Sequence, residues 1–278
     1  MEVRKAEFAG ACYGVQRALD MAAAAAAAGG TVQSLGPLIH NPVVVAKLEA
    51  SGVQEADTID DITADAVIVR SHGVGPQVRA ALEAGSARVV DATCPHVYRA
   101  QKAAADLARA LRCVIVVGDA KHPEVEGLCA YAVQAGGQVH VAASPDDLPV
   151  DLPEAVGVVV QTTQSRAVFD AVLAALAARG IRTEVRDTIC TATTKRQKAA
   201  AELAGQVDAI VVIGGHNSSN TTRLYEICKA LCPQTVHIET AAELDPAFFA
   251  GAATVGVTAG ASTPEDQITQ VVDYLRQL

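Results

Sequence analysis

The sequence predicts an α/β fold with mainly parallel sheets, arranged as three similar lobes. Short apolar runs rich in β-branched residues alternate with helical segments along the whole chain. This alternation is typical of strand–helix–strand units, whose strands pair in parallel. In addition, three similar segments recur at long intervals, each with one cysteine. Self-similarity at a long period indicates repeated supersecondary units.

The apolar runs are predicted to be buried strands, because they are β-branched and bounded by turn residues. They cover residues 67–69, 114–117, 156–160, 209–213 and 254–257. Helices are predicted between them, for example over residues 99–111, 165–179, 193–204 and 264–278.

Several helix ends carry their own signals. Asn41-Pro42 and Ser144-Pro145 fit an N-cap followed by proline at the first helical position. Gly180 and Gly205 fit helix C-termini.

Three cysteines share a sequence context. Cys12, Cys94 and Cys190 each end a strand-like run and precede a helix, and a basic residue follows five positions later. In the second and third segments an Asp lies three residues earlier, and Gln-Lys-Ala-Ala-Ala starts seven residues later. Three such units would bring three thiolates to one pseudo-threefold axis. We place lobe boundaries near the cysteines, at residues 13–94, 95–187 and 188–278.

Composition excludes some classes of protein. The chain has 278 residues, half of them hydrophobic, and a net charge of −9. This charge argues against binding to nucleic acid. No stretch resembles a membrane span or a secretory signal, so we expect a cytoplasmic protein without a membrane partner. Seven cysteines in a reducing compartment indicate metal binding, catalysis or burial rather than disulfides.

Polar loops follow the predicted strands, where α/β folds bind ligands. Residues 214–220, Gly-Gly-His-Asn-Ser-Ser-Asn, suit an anion at a helix N-terminus, and Ser262 before Pro264 repeats the design. Ordinary N-capping would also explain both. Neither loop matches a nucleotide-binding fingerprint.

Titratable groups lie in other loops. His40, His72 and His122 could donate to phosphate oxygens, or could simply be solvated. Glu124, in the first turn of a helix, is either a proton donor beside a ligand or a carboxylate that complements the helix dipole. The helix terminus would lower the pKa of Glu124 and a nearby anion would raise it. The other four cysteines are predicted to be structural: Cys113, Cys129, Cys228 and Cys232.

Taken together, these motifs resemble the 4-hydroxy-3-methylbut-2-enyl diphosphate reductase (IspH or LytB) family over nearly the whole chain. The matching segments are Cys12-Tyr-Gly-Val-Gln-Arg-Ala, Ile39-His-Asn, Ser71-His-Gly-Val, Asp91-Ala-Thr-Cys-Pro, Gly118-Asp-Ala-Lys-His-Pro-Glu-Val-Glu-Gly, Gln161-Thr-Thr, Cys190-Thr-Ala-Thr-Thr-Lys-Arg-Gln, Asn217-Ser-Ser-Asn and Thr258-Ala-Gly-Ala-Ser.

The resemblance implies a role for each matched residue. Cys12, Cys94 and Cys190 would ligate a [4Fe–4S] cluster with one iron that has no protein ligand. The implied catalytic residues are Glu124, Thr162 and His122. The implied substrate-binding residues are His40, His72, His122, Thr162, Ser218, Ser219, Asn220 and Ser262. The fold would be three α/β lobes around a central iron–sulfur cluster, with strand 1–12 joining the third lobe.

The implied reaction is the reductive dehydroxylation of 4-hydroxy-3-methylbut-2-enyl diphosphate to isopentenyl and dimethylallyl diphosphate, the last step of the methylerythritol phosphate pathway. A ferredoxin or flavodoxin type electron donor is expected. Basic residues after two of the cysteines are candidates for docking this donor: Arg99, Lys102, Lys195, Arg196 and Lys198.

Two alternatives remain at this stage. One is an iron–sulfur dehydratase that resembles quinolinate synthase, in which the open iron would bind a carboxylate substrate. The other is a non-catalytic iron–sulfur sensor, or a zinc-bound structural relative, on the same scaffold.

Overall fold

The structure is a computed structural model that describes residues 1–278. Its strands are β1 (Glu2–Lys5), β2 (Val32–Leu35), β3 (Val53–Ala56), β4 (Ala66–Val69), β5 (Arg88–Asp91), β6 (Cys113–Val117), β7 (Gln138–Ala142), β8 (Ala155–Val160), β9 (Arg182–Arg186), β10 (Ala209–Ile213), β11 (Thr235–Ile238) and β12 (Thr254–Ala259). Its α-helices are α1 (Tyr13–Ala27), α2 (Pro42–Ala50), α3 (Pro76–Ala84), α4 (Pro95–Leu111), α5 (Pro123–Gln134), α6 (Arg166–Ala178), α7 (Thr191–Ala204), α8 (Ser219–Leu231) and α9 (Glu265–Gln277).

The strands form three four-stranded sheets with the orders β3-β2-β4-β5, β7-β6-β8-β9 and β1-β12-β10-β11. All neighbouring strands are parallel. Read from β11 to β1, the third sheet repeats the arrangement of the other two. In each sheet the last edge strand (β5, β9 or β1) leads into one of the three repeated cysteines. The predicted α/β fold of three similar lobes is therefore confirmed.

The chain divides into two compact units. The larger unit, Arg17–Leu38 and Leu48–Cys190, contains the first and second sheets. The smaller unit, Met1–Gln16, Ile39–Lys47 and Thr191–Leu278, contains the third sheet. There β1 pairs with β12, with Val3 opposite Val255. The lobe boundaries proposed from the sequence stay a prediction.

The five predicted strands correspond to β4, β6, β8, β10 and β12, which are almost fully buried inner strands covered by helices. Their Val and Ile side chains form the sheet cores. The sequence did not reveal β2, β3, β7 and β11. These strands carry polar residues: β3, β7 and β11 lie at sheet edges, and the inner strand β2 contains Gln33 and Ser34 instead of a continuous apolar run. Their apolar signal is correspondingly weak.

Most predicted helix signals are confirmed. Asn41 caps α2 through Oδ1, which accepts from the N–H of Val44 at 3.3 Å. Gly180 follows α6 with a φ of +72°, a conformation that glycine adopts without strain. Ser144 is the N-cap and Pro145 the first residue, as predicted, of a short 3-10 helix at Pro145–Asp147. Pro149 disfavours a helical Leu148 and so stops the turn from continuing. None of the helices combines the length and apolar character that crossing a membrane requires.

Candidate active site

The three repeated cysteines occupy equivalent positions in their sheets. In each case the cysteine N–H donates to a backbone carbonyl two residues beyond the end of the neighbouring inner strand, β4, β8 or β12. The pairs are Cys94 to Ser71 at 2.9 Å, Cys190 to Thr162 at 3.0 Å and Cys12 to Ala261 at 3.1 Å. Each of these cysteines is partly exposed, is not in a disulfide, and lies at the start of a helix. The sequence repeat therefore corresponds to a repeat in backbone geometry.

The remaining cysteines have different surroundings. Cys113 lies inside β6 and is buried, as are Cys228 and Cys232. Burial raises the pKa of Cys228 to about 12 and that of Cys129 to about 11. A thiol with such a pKa stays protonated at neutral pH, which disfavours metal binding because the thiolate is the ligand. These features fit the predicted structural role.

In the larger unit, Glu124 and Thr162 form a two-point contact. Glu124 lies in the first turn of α5, and Thr162 follows β8. The Thr162 N–H donates to Glu124 Oε1 and the Thr162 hydroxyl donates to Oε2, both at 2.7 Å. Both side chains are buried. Because both carboxyl oxygens are held, the orientation of Glu124 is fixed.

Burial raises the pKa of Glu124 to about 7, although the two hydrogen bonds from Thr162 lower it in part. The sequence alone left the direction of this shift open. A carboxyl group with a pKa near neutrality can both hold and release a proton at pH 7, which is the property that general acid–base chemistry requires.

Two histidines accompany Glu124 in the larger unit. His122 caps α5, and its Nδ1 accepts from the Glu124 N–H at 3.1 Å. Neutral His122 therefore carries its proton on Nε2. The ring of His72, from the loop after β4, lies edge-on to that of His122 with centroids 5.3 Å apart. The first and second sheets thus each contribute one of these imidazoles.

Gln161 braces two loops of the second sheet. Its Oε1 accepts from the Asp119 N–H at 3.0 Å, and its Nε2 donates to the Thr163 hydroxyl at 2.9 Å. Gly118 makes room for this amide, since a Cβ there would lie 2.8 Å from Oε1. This brace holds the loop before His122 against the loop that carries Thr162.

In the smaller unit, the polar loop after β10 contains a buried donor. Ser218 caps α8, with its hydroxyl accepting from the Thr221 N–H at 3.4 Å. Asn220 Oδ1 accepts from the Ala261 N–H at 2.9 Å, while its buried Nδ2 has no hydrogen-bond partner. Ser219, the first residue of α8, is half-buried. An unpaired buried N–H at a helix N-terminus suits an anionic ligand.

Two further loops of the smaller unit are joined reciprocally. The Ser262 hydroxyl donates to the His40 carbonyl at 2.9 Å, and Asn41 Nδ2 donates to the Ser262 carbonyl at 2.8 Å. The structure therefore places His40 beside Ser262, and Ser262 beside Ala261, which contacts Asn220. The five residues predicted to bind substrate in this unit therefore lie on loops that contact one another: His40, Ser218, Ser219, Asn220 and Ser262.

Sequence reasoning missed several residues that hold these loops. Asn41 was signalled as a helix cap, and both Asn41 and Gln161 lie in segments that match the family, but neither was assigned a role at the site. Nothing in the sequence indicated Gln267, which lies on α9. Side-chain amides of this kind act through long-range contacts, which have no local sequence signature.

The structure corrects the predicted basic patch. Arg196 is buried and donates to the carbonyls of Gly10 at 2.6 Å and Ala192 at 3.0 Å, so it cannot dock a partner. Lys102 pairs with Asp106, which offsets its charge. In the smaller unit Lys195 stays exposed, with its ammonium 5.3 Å from the ring centroid of half-exposed Phe8.

Comparison with known proteins gives the same family as the sequence motifs. A relative from Citrifermentans bemidjiense, named 4-hydroxy-3-methylbut-2-enyl diphosphate reductase, is 47% identical over 278 residues, with 99% of this chain and 97% of the relative covered. A relative of the same name from Geobacter sp. strain M21 is 46% identical, with the same coverage.

Two solved structures are also similar. A structure of (E)-4-hydroxy-3-methyl-but-2-enyl diphosphate reductase, described as the terminal enzyme of the non-mevalonate pathway, is 41% identical with a TM-score of 0.73, and both chains are fully covered. The structure of the E-1-hydroxy-2-methyl-but-2-enyl-4-diphosphate reductase from Plasmodium falciparum is 26% identical, with a TM-score of 0.91. The match covers 99% of this chain and 87% of the Plasmodium falciparum chain. Residues 3–276 match the family described as LytB protein. The chain therefore belongs to the LytB family, and the prediction from its motifs is confirmed.

Proposed function

We propose that this chain is a 4-hydroxy-3-methylbut-2-enyl diphosphate reductase. The allylic C–O bond breaks and two electrons are added; one proton leaves with the hydroxyl group as water, and a second proton forms the new C–H bond. The products are isopentenyl and dimethylallyl diphosphate. The equivalent placement of Cys12, Cys94 and Cys190 is the observation that carries this proposal, because it offers one thiol from each sheet.

We assign these three cysteines as ligands of one [4Fe–4S] cluster. Their partly exposed thiols at helix starts fit such a group, since thiolates are the usual ligands of iron–sulfur clusters and helix N-termini favour negative charge. Three protein ligands leave one of the four irons open. When bound, the cluster supplies single electrons and an iron that acts as a Lewis acid on the substrate hydroxyl.

Glu124, Thr162 and His122 supply and guide protons in this proposal. A carboxyl group with a pKa of about 7 is substantially protonated at neutral pH, so Glu124 can donate. Thr162 lies 2.7 Å from it and can relay that proton through its own hydroxyl. His122 Nδ1 is engaged with the Glu124 N–H, which leaves Nε2–H as the donor toward an oxygen of the substrate.

Binding of the diphosphate is assigned to polar groups that carry no fixed positive charge. We assign it to Ser218, Ser219, Asn220 and Ser262, together with the imidazoles of His40, His72 and His122; the Ser262 hydroxyl, which donates to the His40 carbonyl, would turn to the anion when it binds. The start of α8 adds positive potential at Ser219. Neutral donors held in advance can bind an anion because they need no reorganisation when it arrives.

An external electron donor must complete each turnover, because a cluster passes electrons singly. A ferredoxin or flavodoxin type protein is our proposal, and the cytoplasmic location stays a prediction. The comparisons support neither the dehydratase nor the sensor.

Anaerobic turnover tests the proposal. Reconstituted protein should consume 4-hydroxy-3-methylbut-2-enyl diphosphate with a chemical reductant, and Glu124→Gln should retain the cluster spectrum but lose at least a hundredfold in kcat. Inorganic diphosphate should inhibit competitively. Protein that is brown but inactive would favour a sensor, and colourless protein containing zinc would favour a structural relative. Unchanged activity of Glu124→Gln would remove Glu124 from the proton relay.

A further inference from the structure

The Asn41 side chain makes three hydrogen bonds that join polar loops of the smaller unit, and no role beyond helix capping follows from the sequence. It is 1% exposed. Its Oδ1 accepts from the Val44 N–H, while Nδ2 donates to the Ser262 carbonyl at 2.8 Å and to Gln267 Oε1 at 3.1 Å. The amide therefore uses its acceptor for capping and both of its donor hydrogens for long-range contacts.

The contacts continue beyond Asn41 to the loop after β10. Gln267, also buried, donates through Nε2 to the Glu239 carbonyl. The Glu239 carboxylate accepts from the His216 N–H at 2.8 Å. His216 lies two residues before Ser218. A continuous chain of hydrogen bonds thus runs from Asn41 to the loop that starts α8.

Close packing reinforces the same arrangement. Gly215 approaches the His40 carbonyl so closely that a Cβ would lie 2.8 Å from that oxygen. The same Cβ would lie 3.1 Å from Pro42. This close packing restricts where residues 40–42 can lie against the loop after β10, and the Asn41 contacts hold them there.

We propose that Asn41, assisted by Gln267, is a positioning residue that fixes His40, Ser262 and the start of α8 in the geometry that binds diphosphate. This inference rests on the proposed function. The Asn41 side chain acts through its two partners: its Nδ2–H holds the Ser262 backbone, and the Ser262 hydroxyl in turn donates to the carbonyl of His40.

The physical consequence is preorganisation of the anion site. Donors already held in place lose little conformational freedom when the anion binds, so the gain in free energy goes into affinity. Loss of the Asn41 donors would also leave the buried Ser262 carbonyl without this hydrogen bond. Loss of both Asn41 donor contacts should weaken diphosphate binding by about tenfold or more, because the site would have to be ordered when the anion binds.

Capping of α2 is the competing explanation, and one substitution separates the two roles. Asn41→Ser keeps an oxygen that can cap the helix, because serine is as good an N-cap as asparagine. It removes both amide donors without adding charge. Ser165→Ala is the matched control, since Ser165 caps α6 in the larger unit and accepts from the Val168 N–H at 3.2 Å.

The assay is calorimetric binding of inorganic diphosphate to the cluster-loaded, full-length protein under anaerobic conditions, together with steady-state kinetics and thermal unfolding. We expect Asn41→Ser to weaken diphosphate binding at least tenfold and to raise KM, with kcat changed less than threefold, since a binding interaction common to ground and transition states is lost. Ser165→Ala should lower the Tm and leave diphosphate affinity unchanged.

Each outcome decides the matter. Wild-type affinity in a folded Asn41→Ser protein would overturn the positioning role. If that variant does not fold, Gln267→Met provides the test. This substitution keeps the hydrogen bond from Asn41 to Ser262 but removes the hydrogen bond from Gln267 to Glu239. It should weaken diphosphate binding threefold or more. Unchanged diphosphate affinity in the Gln267→Met variant would likewise overturn the positioning role. Failure of the wild-type protein to bind diphosphate would instead contradict the proposed function.

Discussion

Thr162 donates two hydrogen bonds to Glu124, one from its backbone and one from its hydroxyl, each 2.7 Å long. The backbone bond anchors one carboxyl oxygen to the end of β8. The other oxygen then faces the Thr162 hydroxyl, which can either donate to a carboxylate or accept from a carboxylic acid. The contact therefore persists in both protonation states of Glu124.

We predict that Glu124 makes the stability of the protein depend on pH between about 4.5 and 7. Its folded pKa, about 7, lies above its ordinary value of 4.5 because of burial. The unfolded chain ionises first as the pH rises, so the folded state loses stability until the pH exceeds 7. Glu124→Gln removes this loss. The difference in unfolding free energy between variant and wild type should grow by up to about 3 kcal/mol from pH 4.5 to pH 8.

Urea denaturation of the cluster-free protein at several pH values measures this effect. Glu126→Gln is the control, because Glu126 lies on the same helix and is not part of the contact with Thr162. A constant difference between Glu124→Gln and wild type across the pH range would contradict the assigned pKa.

The rate of turnover should fall on the alkaline side of neutrality. A proton donor with a pKa of about 7 is depleted tenfold for each pH unit well above that value. Thr162→Val retains the backbone bond but removes the hydroxyl, and we expect at least a tenfold lower kcat with a small change in KM. Thr162→Ser should restore most of the rate. Full activity of the valine variant would show that the hydroxyl does not relay the proton.

Two buried glutamine side chains are predicted to lower the unfolding free energy of the protein. Gln101 and Gln197 each lie seven residues after a repeated cysteine, are at least nine-tenths buried, and have an Nε2 without a hydrogen-bond partner. Replacement of each by methionine, which is similar in shape, should raise the unfolding free energy by about 1–2 kcal/mol, because a buried unsatisfied donor is removed. Gln77→Met, at an exposed position on α3, should change it by less than about 0.5 kcal/mol. Destabilisation by the buried substitutions would mean that these amides find partners in solution.

Loss of any repeated cysteine should prevent stable cluster assembly. Cys12→Ser, Cys94→Ser and Cys190→Ser should each reduce iron content after anaerobic reconstitution to less than half that of wild type, because a thiolate ligand is lost. Cys228→Ala, with a buried thiol of high pKa, should reconstitute normally. Iron analysis and visible spectra make the comparison. Equal iron in all four variants would refute the assignment.

Lys195 on α7 should affect electron delivery alone. Lys195→Glu should slow turnover with an acidic donor protein severalfold, with a stronger effect at low salt, because opposite charges steer association. The rate with a small chemical reductant should be unchanged. Lys102→Glu is the comparison, since Asp106 already offsets that lysine. Equal slowing with both reductants would exclude docking at α7.

The amino-acid sequence determined the fold class, five of the six inner strands, the three repeated cysteines and the family. Each of these has a local signal. A buried parallel strand is a short β-branched run whatever its neighbours are. Likewise, the surroundings of Cys94 and Cys190 repeat within a few residues of chain. The polar strands β2, β3, β7 and β11 lack that signal, because hydrogen bonding to a neighbouring strand, rather than composition, makes them strands.

Only the tertiary structure decided the chemistry of the individual groups. The direction of the pKa shift of Glu124 depends on how completely it is buried and on Thr162, which is 38 residues away. The connection from Asn41 to Ser262 and Gln267 spans more than 200 residues of sequence. Burial and hydrogen-bond partners of this kind arise when distant segments of the chain pack together. A local pattern of residues therefore indicated a surface cation at Arg196 and a helix cap at Asn41, but it could not reveal the contacts that either side chain makes.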